Sequence, residues 1–282
     1  MSDPKNTIAF QGMHGAYSEM ACRSAHPKMT PLPSATFAET FKAVRSGNAK
    51  LAMIPIENTI AGRVADIHHL LPDSGLHIIA EHFQRVNHHL LAVKDAEISD
   101  ITHVHSHIQA LGQCNTVISE LDLTPVIQAD TAGAAADVAA AGDKTQAAIA
   151  SELAAKINGL ISLKANIEDA DHNTTRFAIM SGEANDPGVE CTDLITSFVF
   201  RVRNVPAALY KALGGFATNG VNLTKLESYV DAGFVAAQFY ADAEGHPEQS
   251  ALKMALEELA FITHEIKILG TYPAHPFRAA QK

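Results

Sequence analysis

Hydrophobic and polar positions along the first two-thirds of the chain switch repeatedly between two periods. Thr7-Ile8-Ala9-Phe10 is a short apolar run ending at Gln11-Gly12, as a buried strand does, and a helix follows, seeded near Ser18. Phe37, Phe41 and Val44 recur at spacings of four and three, one face of a helix that Gly47 is placed to end. "KLAMIPIEN" then predicts a buried strand running into a polar turn. A second series follows: "HHLLAV", "ITHVHS", a helix over 108–121, "TPVIQA", an Ala-rich helix over 132–141, "QAAIAS", and the stretch through "ISLKANI". Strands alternating with helices predict mostly parallel sheets with helices on their faces, and two such series predict two lobes. Ligands of such sheets bind beyond the carboxyl ends of the strands, in the crevice between lobes.

"SGEANDPGVECTD", residues 181–193, is polar and bears Gly and Pro, the composition of a linker. Beyond it "LITSFVFRVR" alternates as a strand, Pro206 suits a helix's first turn, and Ala207 to Thr218 continues that helix. "GVNLTKLESYV" and "GFVAAQFYADA" predict two strands joined at Asp231-Ala232-Gly233. Pro247 to Phe261 is a second helix and "HEIKILGTY" a last strand. The order βαββαβ is that of a ferredoxin-like module, which alone says little about function.

Composition narrows the classes. At 282 residues the chain is long enough for two domains, and 47% hydrophobic with 18% charged residues is ordinary for a globular protein. A formal charge of −10 with no basic run argues against nucleic acid. The start "MSDPKNTIAFQG" lacks a positive segment leading into an apolar one, so no secretory signal is expected, and no stretch has the length of a membrane span. Cys22, Cys114 and Cys191 stand far apart outside any CxxC pattern, as reduced thiols of a cytoplasmic protein do.

Polar stretches stand at strand-to-helix junctions, and each has two readings. "GMHGAYSE", residues 12–19, is a loop with Ser18 as helix cap, or a backbone N–H cradle for an anion. In "IPIENTIAGRV", Glu57, Asn58 and Thr59 follow a buried strand, either as an Asx-turn or with the Asn58 amide as a donor to a carboxylate. His103, His105 and His107 alternate, but no nearby carboxylate completes a metal set, nor do the pairs His68-His69 and His88-His89; no metal site is expected. Ser106 and Gln113 suit a pocket wall, with an exposed helix position as the alternative for Gln113. Thr131 is a cap, with binding as a second role. In "DHNTTRFAI", residues 171–179, Asp169 to Asn173 shape a turn, while Thr175 and Arg176 offer a hydroxyl and a guanidinium fork at a strand's mouth. The alternative for Arg176 is an ion pair with Asp169 or Asp171.

Together these stretches carry a resemblance. "GMHGAYSEMA", "IPIENTIAGRV", "SHIQALGQC", "DTAGAAADVA", "AAIASELAAKINGLISL", "IEDADHNTTRF" and "ALYKALGGFATNGVNLTKLES" occur in the order of prephenate dehydratase with a C-terminal ACT domain, over about Ile8 to Tyr272. The resemblance implies a two-lobed catalytic domain over 1–185, like a type II periplasmic binding protein, and a βαββαβ ACT domain over 194–275. It implies conversion of prephenate to phenylpyruvate, water and CO2 in phenylalanine synthesis, with no metal or organic cofactor. It implies Thr175 as catalytic and Arg176 as carboxylate-binding, with Asn58, Ser106 and Gln113 in substrate binding or turnover and Glu57 beside them. It carries over Thr131 and Ser18 as further binding residues. Glu57 would be the acid if burial raised its pKa.

The C-terminal part departs from that family's pattern. Ala207, Ala208 and Leu209 stand in the loop where Gly is usual, and Glu227-Ser228 runs on into Tyr229-Val230 where Arg-Pro is usual. Ala207, Ala208, Leu209, Asn222, Leu223, Glu227 and Ser228 are the effector positions the resemblance implies for phenylalanine at an ACT–ACT interface, hence a homodimer or homotetramer. Two rivals stand beside prephenate dehydratase: arogenate dehydratase, and a non-catalytic amino-acid sensor. The residues ahead of Ile8 leave no room for a fused chorismate mutase, so that bifunctional form is not expected.

Overall fold

The computed structural model describes residues 3–230 and 236–280; the expected turn at Asp231-Ala232-Gly233 lies outside them. In chain order the first series is β1 (Thr7–Gln11), α1 (Tyr17–Ala25), β2 (Thr30–Ser34), α2 (Phe37–Arg45), β3 (Leu51–Asn58) and β4 (Gly62–Arg63), then α3 (Ala65–Leu70) and β5 (His77–Arg85). The second is β6 (His89–Ala92), β7 (His103–His107), α4 (Ile108–Gly112), α5 (Asn115–Glu120), β8 (Thr124–Gln128), α6 (Thr131–Ala141), β9 (Gln146–Ala150), α7 (Glu152–Asn158), β10 (Ile161–Ala165) and β11 (Thr174–Ser181). The last third is β12 (Leu194–Val202), α8 (Ala208–Thr218), β13 (Leu223–Val230), β14 (Ala236–Glu244), α9 (Ser250–Ala260), β15 (Thr263–Pro273) and α10 (Pro276–Ala279).

These elements form two compact units, Met1–Val64 with Phe83–Phe177, and Ala65–His82 with Ala178–Lys282. One sheet has the order β2-β1-β3-β11-β5, with β4 on β3, and β1 pairs β2 and β3 in parallel. A second has the order β10-β6-β9-β7-β8, parallel at β7–β8 and β7–β9 and antiparallel at β6–β9 and β10–β6. The apolar runs read from the sequence are the buried strands: Ile8 to Phe10, Leu51 to Ile54 and Ala147 to Ala150 are all core. Helix starts follow local capping. Thr36 accepts from the Glu39 N–H and Ser151 from the Ala154 N–H, each satisfying a donor that the first turn leaves open.

Two caps and one helix differ from the sequence reading. The cap of α1 is Ala16, and Ser18 lies within the first turn. The cap of α6 is Asp130, which takes the Gly133 N–H at 2.7 Å, so Thr131 is the first helical residue. The single helix expected over 108–121 is two, because Asp169 intervenes. Its N–H donates to the Gln113 carbonyl at 2.7 Å, and its carboxylate accepts from the Asn115 and Thr116 N–H groups at 2.9 and 3.1 Å. A carboxylate remote in sequence thus starts a new helix at Asn115.

In the second unit β12 to β15 form an antiparallel sheet of order β13-β14-β12-β15, and the chain order is the expected βαββαβ. Phe198, Phe200 and Phe239 pack with Phe216 of α8 and Leu252 and Leu259 of α9 in one core. The alternation expected of β12 is absent, since Leu194 to Phe200 are all buried. The reason is that segment 65–82 covers the other face. Glu81 accepts from Arg278 at 2.6 and 2.9 Å and from the His275 N–H at 3.0 Å. The Lys267 ammonium donates to the Pro72 carbonyl, and the His69 ring lies 5.7 Å from that of Tyr229. On that face Ser197 donates to Asp242 at 2.5 Å and meets the Tyr272 and Tyr240 hydroxyls at 2.7 and 3.1 Å.

Two helices of this unit start later than expected. α9 begins at Ser250 rather than Pro247, and α8 at Ala208, beyond Pro206. Ala207 caps α8 in the left-handed region at φ 59°, where a Cβ is disfavoured. Ala207→Gly is therefore expected to stabilise the protein by about 0.5–1 kcal/mol, net of glycine's extra freedom when unfolded. A thermal melt of the variant checks it, and an unchanged or lower Tm contradicts it.

Candidate active site

Asn58 ends β3 and Thr175 is the second residue of β11, a neighbouring strand of the first sheet, and the two side chains meet there. Asn58 forms the Asx-turn: its Oδ1 accepts from the Ile60 and Ala61 N–H groups at 2.9 and 2.8 Å. Its Nδ2 then points the other way, donating to Asn173 Oδ1 at 2.8 Å and Thr175 Oγ1 at 3.0 Å. The turn and the donor readings of Asn58 are therefore both realised, in one saturated amide. Thr175 Oγ1 is an acceptor in that contact, which leaves its own proton to donate elsewhere.

Asn173, only 1% exposed, continues the chain by donating through Nδ2 to Gln113 Oε1 at 2.9 Å. Gln113 follows α4 on the side of the second sheet, so the network joins the two lobes of this unit. Its Oε1 also meets His88 Nε2 at 3.0 Å, and His88 Nδ1 lies 2.8 Å from the Tyr17 hydroxyl. Burial lowers the His88 pKa, against a contribution from Gln113 that raises it, and burial raises that of Tyr17.

Alternation along β11 sends Arg176 to the face opposite Thr175, as it does Glu57 relative to Asn58. Arg176 Nη1 donates to Glu57 Oε1 at 3.0 Å, and the arginine is 4% exposed. The ion pair expected as an alternative thus exists, but with Glu57 in place of Asp169 or Asp171.

The remaining expected residues are not hydrogen-bonded into this cluster. Ser106 lies inside β7, fully buried, and donates to the Ile149 carbonyl at 2.6 Å. Thr131 opens α6 and Ser18 lies in α1. In the loop before α1, the Gly15 N–H donates to buried Glu19 at 2.8 Å, so that part of the expected anion cradle already has an internal carboxylate. Burial pushes the Glu19 carboxyl up, and the Gly15 N–H, Arg23 and His14 together bring it below the usual range. Gly15 has φ +94°, and a Cβ there would lie 2.8 Å from Ala154 Cα. The loop therefore packs on α7, and Ser151 donates to the Gly15 carbonyl at 2.5 Å.

His105 meets Gln146 at 2.6 Å, His103 meets Thr102 at 2.8 Å, and His107 accepts from the Gln109 N–H at 3.3 Å. Among the described residues no three His, Cys, Asp or Glu side chains stand together as metal ligands. Asn173 and His88 are the site residues that sequence reasoning missed. Asn173 was readable only as a turn residue, and adjacent histidines cannot reveal from sequence which one faces inward.

Of the expected effector residues, Ala207 to Leu209 stand at the start of α8, and Asn222, Leu223, Glu227 and Ser228 along or just before β13. Leu209 and Leu223 pack against one apolar core.

The sequence profile of prephenate dehydratase matches residues 8–185. The chain belongs to the prephenate dehydratase family. The enzymes of that family are lyases, and membership decides against the non-catalytic sensor. A Komagataeibacter europaeus protein named bifunctional N-acyl-homoserine lactone acylase/prephenate dehydratase is 53% identical over 96% of this chain and 97% of its own. Arogenate dehydratase/prephenate dehydratase 2 of Arabidopsis thaliana, chloroplastic, is 37% identical over 94% of this chain and 72% of its own. The crystal structure of prephenate dehydratase from Arthrobacter aurescens in complex with L-Phe superposes with a TM-score of 0.87 at 29% identity, covering 95% of this chain and 90% of that one. No helix among the described residues is long and apolar enough to cross a membrane.

Proposed function

We propose that the chain converts prephenate to phenylpyruvate, with Thr175 as the catalytic donor. In this reaction the ring carboxylate leaves as CO2, its bonding electrons aromatise the ring, and the C–O bond to the ring hydroxyl breaks. The departing oxygen becomes water by taking a proton. The observation that carries the reading is the Asn58–Thr175 contact: the hydroxyl oxygen accepts from Asn58, so its proton is aimed at another acceptor, the leaving oxygen. A threonine hydroxyl is a weak acid, so its contribution is stabilisation of developing negative charge, with water supplying the proton. Gln113 offers its amide N–H groups to the substrate. Arg176 and Glu57, paired with each other on the opposite face, act from behind the strands by holding the ends that carry Thr175 and Asn58. The test is phenylpyruvate formation from prephenate by the purified protein.

Arogenate, with an amino group in place of the keto group, fits the same cluster, and the 37%-identical plant relative is named for both substrates. The ratio of kcat/KM for the two decides the preference. The acylase reading rests on the 53%-identical relative. Release of homoserine lactone from an N-acyl-homoserine lactone, by water addition across the amide, tests it in a parallel assay.

Regulation by L-phenylalanine is part of the proposal, with a catalytic domain over 1–185 and an ACT domain over 194–275. Its support is the βαββαβ sheet and the L-Phe named with the Arthrobacter aurescens relative. Effector contacts would come from Ala207 to Leu209, Asn222, Leu223, Glu227 and Ser228 where two copies meet in a homodimer or homotetramer. Reduced thiols are consistent with a cytoplasmic setting. Phenylalanine is expected to lower turnover and raise Tm by mass action, and a melt unmoved by millimolar phenylalanine contradicts this.

A further inference from the structure

We propose that His88 is a positioning residue for this reaction, acting through Gln113. The inference rests on the dehydratase reading and extends it to a side chain that touches neither Thr175 nor the reacting atoms. The orientation of the whole network follows from one end. The Ile60 and Ala61 N–H groups fix Asn58 Oδ1, so Asn58 Nδ2 faces Asn173 and Thr175. Asn173 Oδ1 receives one of those protons, which turns its Nδ2 toward Gln113 Oε1. Gln113 Oε1 is then an acceptor, and the ring atom 3.0 Å from it, His88 Nε2, has to carry a proton. His88 Nδ1 is left as the lone pair and takes the Tyr17 hydroxyl proton at 2.8 Å, in competition with the Asn87 carbonyl, which lies at the same 2.8 Å from that hydroxyl.

Two donors therefore converge on Gln113 Oε1 and turn its amide nitrogen away from both. That nitrogen has no protein hydrogen-bond partner among the described residues, and neither has the Thr175 proton. The site thus presents two free donors, each fixed because its companion acceptor atom is already occupied. Asn173 alone would leave Gln113 free to swing about a single contact. His88, 2% exposed and held by Tyr17, removes that freedom.

The test compares His88→Leu with His88→Gln, whose amide nitrogen reaches about the position of the imidazole Nε2. His88→Leu is expected to lower kcat about 10- to 100-fold with KM little changed, the scale of a small misplacement of a reacting group. His88→Gln is expected to recover most of that loss. Equal losses in the two folded variants, or a loss confined to KM, would overturn the proposal. Nitrogen-15 spectra of the wild-type ring supply a readout independent of turnover and of variant folding. The Nε2–H tautomer is expected, and an Nδ1–H tautomer overturns the proposal even if the enzyme is active. Wild-type protein inactive on prephenate and arogenate but showing Nε2–H would instead overturn the dehydratase reading while supporting the Gln113 orientation.

Discussion

Replacing Thr175 by valine is expected to lower kcat about 10²–10³-fold, the range for removing one aimed donor from a transition state, with KM little changed. Valine keeps the volume and β-branching that suit β11, so the strand persists. Asn58 keeps Asn173 Oδ1 as an acceptor, and its remaining N–H can turn to water at a half-buried position. Stability should therefore change little while turnover falls. Thr175→Ser retains the hydroxyl and is expected to retain most of the activity. Wild-type kcat with a raised KM in the valine variant would move Thr175 from catalysis to binding.

Gly270→Ala is expected to destabilise the second unit by about 3 kcal/mol or more, the upper range of overpacking. A Cβ at Gly270 would overlap the Ile78 carbonyl oxygen and lie 2.8 Å from its carbonyl carbon. Both obstacles are backbone, so relief requires β15 and β5 to separate. That separation would strain the Glu81–Arg278 and Lys267–Pro72 contacts alongside. At about 2–4 °C per kcal/mol, the melting transition of this unit should fall by about 6–12 °C. Gly214→Ala in α8 is the control, since its added Cβ meets nothing within 4 Å and a helical alanine is favoured over glycine. Equal Tm values for the two variants would show that β5 and β15 are not held in this contact.

The strands were legible because their apolar runs are short and bounded, as at Ile8 to Phe10 and in "KLAMIPIEN". The βαββαβ order was legible for the same reason. What stayed hidden depended on residues far apart in sequence. The break between α4 and α5 is set by Asp169, and the buried second face of β12 is set by segment 65–82. At the site, Asn58 and Thr175 stood out as polar residues at strand ends. The pairing of Arg176 with Glu57 follows from two strands ending side by side, which no local pattern encodes. Asn173 and His88 were hidden similarly, since their partners lie 60 and 25 positions away at Gln113.

Steady-state turnover of prephenate and arogenate by the wild-type protein and Thr175→Val, with a chelator present, tests the central claim most directly. The account predicts phenylpyruvate from prephenate at the higher kcat/KM, undiminished by the chelator and nearly abolished in the variant. Absence of wild-type turnover with both substrates, or a valine variant as fast as wild type, would contradict it.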